Sequence, residues 1–227
     1  MQKLVSGLHK FQSEIFGTHQ KLFEKLSSGQ SPEALFVTCS DSRIAPNLLT
    51  QTSPGDLFIL RNAGNIVPPY GDGHSSEAAT IEFAVSGLGV KHIIVCGHTL
   101  CGAMKGLINP SILETMPSVR SWLSHAEATR RVIDENYGQL SAEAKLTAAT
   151  EENVLAQVEN LRTHPSVRAA MSRGEIAVYA WVYKIQTGEV FHFEHERGQF
   201  TLIGDGMKAI PTSTLYRGLN SHANVTI

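Results

Sequence analysis

The sequence predicts an α/β fold in which a mainly parallel central β-sheet is flanked by helices and preceded by an N-terminal helical arm. Short, uninterrupted apolar runs at Ala34–Thr38, Leu57–Leu60 and His92–Cys96 suit strands buried on both faces. Segments of helical periodicity alternate with these runs, the pattern of a sheet with crossover helices. The 227 residues are 42% apolar, with no internal repeat, low-complexity tract or Gly/Ser linker, so one core over 1–203 is expected. Within it, 1–27 form the arm; 204–227 form an irregular tail.

In order, Leu4, Leu8, Phe11 and Ile15 and then Leu22, Phe23 and Leu26 recur at helical spacing, giving two helices broken near Gly17. After the first two strands, Pro68-Pro69 and Gly71-Asp72-Gly73 place residues 65–76 in a loop. Ala78, Ile81, Val85 and Leu88 predict a helix over 77–88 stopped by Gly89. The third strand leads into a helix starting at Cys101-Gly102. Longer helices are expected over about 117–137 and 142–162, and a short one over 166–173 before Gly174. Residues 176–185 and 189–193 read as strands joined by the turn Gln186-Thr187-Gly188.

A net charge of −2 with scattered Lys and Arg gives no basic face for nucleic acid or an anionic membrane. No apolar run approaches the roughly 20 residues that a membrane-spanning helix needs. The N-terminus carries no signal-peptide pattern, and the expectation is a soluble, cytoplasmic protein. Three cysteines are an odd number for a disulfide framework. Free thiols or metal ligands fit a reducing compartment better.

Two of the three thiols stand at strand ends. Cys39 follows the first strand in Cys39-Ser40-Asp41-Ser42-Arg43, and Cys101 follows the third in His98-Thr99-Leu100-Cys101-Gly102. Ligands of open α/β sheets bind outside the carboxyl ends of the strands, so Cys39, His98 and Cys101 can meet there. Two thiolates and an imidazole suit Zn²⁺ and leave one tetrahedral position open, the pattern of a catalytic site. Cys101 also stands near a helix start, where free N–H groups favour a thiolate. Composition alone leaves Cys39 and Cys101 open between metal ligand and small buried residue. Cys96, inside an Ile/Val strand, reads as a buried hydrophobe.

Together with Arg61-Asn62-Ala63-Gly64-Asn65, these two motifs resemble in order and spacing the signature of the β-class carbonic anhydrases, most closely the cyanobacterial and plant branch. The resemblance implies a zinc enzyme that interconverts carbon dioxide and bicarbonate. It implies Cys39, His98 and Cys101 as metal ligands, Asp41 and Arg43 as a catalytic dyad, and a homodimer or a multiple of it. Gln30, Gly102, Phe58 and Phe83 are the substrate contacts it implies. Phe36 and Thr38 replace a tryptophan and a glycine of members with a regulatory bicarbonate site, which argues against that site here. His74 is a candidate proton relay. The segment Thr214–Asn220 is similar to the tail by which carboxysomal members engage a scaffold protein, which implies placement within carboxysomes.

The dyad has a physical rationale. Two thiolates cancel the metal's charge, so water there is acidified less than at a site of three neutral histidines. Asp41 can orient the nucleophile by accepting its hydrogen bond, provided Arg43 holds the carboxylate off the metal. Carbon dioxide hydration is the leading reading. A carbon disulfide or carbonyl sulfide hydrolase and a carboxysome-associated zinc protein of reduced catalysis are the alternatives. A cysteine hydrolase fits less well, because nothing places a histidine base beside a lone thiol more naturally than beside zinc.

Overall fold

A computed structural model describes residues 1–71, 75–204 and 206–211. His74 and Thr214–Asn220 lie outside the described residues. The chain divides into two compact units, Met1–Ser31 and Pro32–Ile227.

The first unit is helical. α1 (Gln2–Lys10) continues through a π-helical turn, Phe11–Ile15, into α2 (Phe16–Thr18), and α3 (Gln20–Ser27) follows. The break falls at His19 rather than Gly17. Thr18 Oγ1 donates to the Ile15 carbonyl at 2.7 Å, and His19 Nδ1 stands 3.2 Å from the same oxygen. Side chains thus occupy an acceptor that the helix ladder would use. Phe16 and Phe23 stack at 5.3 Å, with Phe11 edge-on to both.

The second unit is built on a six-stranded sheet of β1 (Ala34–Cys39), β2 (Leu57–Asn62), β3 (His92–His98), β4 (Ala177–Tyr183), β5 (Val190–Glu194) and β6 (Gln199–Leu202), in the order β2-β1-β3-β4-β5-β6. The first four are parallel; β5 and β6 are antiparallel additions. The connection from β1 goes out to β2 on one side and that from β3 goes on to β4 on the other, so the crevice at the ends of β1 and β3 is the topological switch point. Cys39 ends β1 and His98 ends β3.

Helices fill the rest. α4 (Pro46–Thr50) follows β1, and α5 (Ser76–Glu82), capped by Ser75, runs into a π-helical turn over Phe83–Gly87. α6 (Gly102–Ile108), α7 (Pro117–Leu123), α8 (Glu127–Asn136), α9 (Ala142–Thr163) and α10 (Pro165–Ser172) come after β3. The expected single helix over 117–137 is interrupted at Ser124–Ala126, where the Ser124 hydroxyl bonds back to Ser121 O at 2.7 Å.

Alternation along the strands divides the core. Leu35, Val37, Val178, Ala180 and Val182 share one apolar cluster with Val154, Leu155 and Val158 of α9. Phe36, Ile94 and Cys96 form another with the partly buried Tyr179, Trp181 and Tyr183. α9 crosses β3 closely because position 97 is glycine. A Cβ there would stand 2.7 Å from Val154 Cγ2 and 3.2 Å from Thr150 Cγ2. Gly97→Ala should therefore cost about 1–3 kcal/mol of stability, read as a lower urea midpoint at unchanged m-value.

Candidate metal centre

The three ligand candidates converge. Cys39, His98 and Cys101 are all buried, and their ligand atoms lie within 4.8 Å of one another. The two sulfurs are 4.0 Å apart. Sulfurs about 2.3 Å from a tetrahedral zinc stand about 3.8 Å apart, so the observed spacing accommodates the ion. His98 Nδ1 lies 2.9 Å from the Thr99 carbonyl, an acceptor only, so Nδ1 carries the proton and Nε2 keeps its lone pair. That Nε2 is buried and has no hydrogen-bond partner. A buried imidazole nitrogen with a free lone pair, facing two sulfurs, is a donor set that fits zinc.

Local backbone conditions the thiols. Gly64 N–H donates to Cys39 Sγ at 3.4 Å, from a loop whose glycine has φ of +83°. A Cβ on Gly64 would meet Ala103 Cβ at 3.0 Å, so both conformation and space demand glycine. The Cys101 thiol accepts from the N–H groups of Ala103 and Met104 at the start of α6. Across the 4.0 Å between the sulfurs, one thiol can donate its proton towards the other. Cys39 ionises first, its pKa brought down to about 4 chiefly by the hydrogen bond from Cys101, against the cost of burial. Cys101 is pushed up by sharing that proton and by burial. Zinc loading near pH 7 should therefore release about one thiol proton per site, not two, measurable by calorimetry in buffers of different ionisation enthalpy.

Asp41 and Arg43 form a fork. Arg43 Nε and Nη2 donate to the two Asp41 carboxylate oxygens at 2.9 and 2.7 Å, and the Arg43 backbone N–H adds a third bond. Asp41 Oδ2 stands 3.8 Å from His98 Nε2. The Arg43 bond is the main reason the Asp41 carboxyl is held well below the usual range. Arg43 Nη2 also reaches the Leu100 carbonyl at 3.2 Å, tying the two motifs together.

Arg61 has a role that motif reading did not assign. From β2 its guanidinium donates to the carbonyls of Cys39, Asp41 and Ile44 at 3.0, 2.8 and 3.0 Å, clamping the loop that carries ligand and dyad. An arginine closing an apolar strand was the available signal. Trp122 Nε1 donates to the Ala63 carbonyl, and Asn153 Nδ2 of α9 donates to that of Gly64.

The substrate-contact candidates are dispersed. Gly102 adjoins Cys101, and nothing lies within 4 Å of where its Cβ would be. Phe58 pairs in register with Leu35, four positions before the Cys39–Asn62 pair, which places it about 13 Å along the strand. It packs against Phe83 at 5.9 Å, not beside the metal ligands. Gln30 belongs to the first unit and is exposed.

The family model described as Carbonic anhydrase matches residues 34–190. The chain belongs to the carbonic anhydrase family. Its place in the β class rests on close relatives. It is 48% identical over 195 residues to the carbonic anhydrase of Synechocystis sp., covering 86% of this chain and 71% of that one. The solved β-carbonic anhydrase CcaA superposes with a TM-score of 0.88 at 46% identity, covering 89% of this chain and 99% of that chain. A structure from a study of tetrameric β-carbonic anhydrases of Sordaria macrospora gives 0.76 at 28% identity over 84% and 95% of the two chains. Among the described residues no helix is long and apolar enough to cross a membrane.

Proposed function

We propose that the chain catalyses the reversible hydration of carbon dioxide to bicarbonate and a proton, with zinc held by Cys39, His98 and Cys101. The observation that carries this reading is the orphaned His98 Nε2 facing two sulfurs, with an arginine-locked carboxylate 3.8 Å away. When bound, zinc supplies a Lewis acid that makes hydroxide available near neutral pH for attack on carbon.

The chain's own residues supply the remainder. Asp41, ionised across the working range, can only accept a hydrogen bond, so it accepts one from the nucleophile and turns a lone pair towards the substrate. Arg43 occupies both carboxylate oxygens and keeps Asp41 from acting as a ligand. Ile66 and Met104, in the same buried cluster as Cys39 and Cys101, give apolar walls that suit an uncharged gas. The test is stopped-flow hydration near pH 8 with zinc content measured alongside. A zinc-replete chain with no activity overturns the reading, and hydrolysis of carbonyl sulfide in its place selects the alternative.

Phe58 and Phe83 serve as pocket residues only if a second copy of the chain presents them, since in one chain they stand apart from the metal ligands. We therefore read the active unit as a homodimer or a multiple of it. A monomer active at nanomolar concentration would exclude this. The resemblance of Thr214–Asn220 to carboxysomal tails supports a scaffold contact within carboxysomes. Capture of carboxysomal scaffold protein by the full chain, lost on truncation after Pro211, tests it.

A further inference from the structure

We propose that Thr99 and Gln186 are positioning residues for His98, forming a clamp that ties the turn between two metal ligands to the β4–β5 connection. The inference rests on the metal reading above and concerns what holds the imidazole in register.

Thr99 uses every polar group it has. Its N–H donates to the Tyr183 carbonyl at 2.9 Å. Its hydroxyl oxygen accepts the Ile185 N–H at 3.0 Å and donates its proton to Gln186 Oε1 at 2.7 Å. Its carbonyl accepts the His98 Nδ1 proton at 2.9 Å. Thr99 is buried, and Ile185 and Gln186 stand in the turn that Lys184 and Glu189 close by a 2.8 Å backbone bond. The carbonyl that fixes the His98 tautomer is thus oriented from β4 and its following turn, not by β3 alone.

The next residue shows why a clamp is needed. Leu100 has φ of +60°, a conformation that a bulky L-residue adopts only when its surroundings impose it. This kink points the Leu100 carbonyl at Arg43 and carries the chain on to Cys101. Held at Thr99, the kink persists. Released, the turn relaxes, and both the imidazole orientation and the support of Arg43 loosen. Groups that orient a metal-bound histidine commonly change metal affinity by about 10–100-fold when removed.

The discriminating measurement is the rate at which a chelator strips zinc from the purified full chain, with the visible thiolate-to-metal band of the cobalt(II)-substituted protein as a second readout. Thr99→Val removes the hydroxyl at nearly constant volume and should lose zinc about tenfold faster or more, with a shifted cobalt band. Thr99→Ser restores the hydroxyl without the methyl and should stay close to wild type. Equal rates for wild type and Thr99→Val, or a serine variant as leaky as the valine one, would overturn the proposal. Should Thr99→Val not fold, the exposed Gln186 decides. Gln186→Leu is expected to lose zinc about threefold faster, whereas Gln186→Glu, which still accepts the threonine proton, matches wild type; identical rates for all three overturn the clamp. A wild-type chain that takes up no zinc overturns the metal reading first, so the two failures are distinguishable.

Discussion

Asp41→Ala should lower carbon dioxide hydration by about 10²–10⁴-fold while zinc content stays near that of wild type. The three metal ligand candidates lie in β1, β3 and the turn before α6, and none depends on the Asp41 side chain for its place. What disappears is the acceptor 3.8 Å from His98 Nε2 that orients the nucleophile. Arg43→Ala should be as damaging for a different reason. It frees both carboxylate oxygens now held at 2.9 and 2.7 Å, and the released Asp41 can swing to the position that water must occupy. Because the two residues act as one unit, the double variant should be no worse than Asp41→Ala alone. Additive losses would show two independent roles. Loss of zinc from Asp41→Ala would show instead that the carboxylate supports the ligand set.

The metal ligand candidates were legible because each follows an apolar run too short for a helix and too uniform for a half-exposed strand. Buried parallel strands leave that mark, and their carboxyl ends are where ligands gather. β6 left no such mark. Gln199–Leu202 has one fully buried residue, Phe200, and an exposed Leu202, so neither alternation nor a continuous run could develop. The break at Ser124 was hidden because a serine back-bond costs the helix little periodicity. Phe58 and Phe83 look alike as pocket or core residues in sequence; the register of β2, not the residue type, separates Phe58 from the metal ligands. The helix α9 was legible over 142–162, but its burial was not. Its sequence contains Glu151, Glu152, Asn153 and Gln157, the composition of a solvated helix, yet all four are buried. Two of them, Asn153 and Gln157, spend their amides on the loop carrying Gly64 and Val67.

The two buried glutamates set the second large expectation, a pH dependence of stability that Glu151→Gln should abolish in large part. Glu151 is 2% exposed, and its Oε1 has no hydrogen-bond partner. Burial, reinforced by the charge of Glu152, raises its pKa from 4.5 to about 8. Tyr137 donates to Glu152 Oε1 at 3.0 Å. Between 4.5 and about 8 the folded chain binds up to one more proton at Glu151 than the unfolded chain does. Stability from this group is then whole below the unfolded value and falls as pH rises, by up to about 1.4 kcal/mol per unit. Glutamine copies the neutral acid in shape and cannot ionise. The stability gap between Glu151→Gln and wild type should therefore widen in the variant's favour by about 2 kcal/mol between about pH 6 and about pH 8, read from urea midpoints in the zinc-loaded protein. A constant gap across that range would mean that Glu151 is already ionised in the fold.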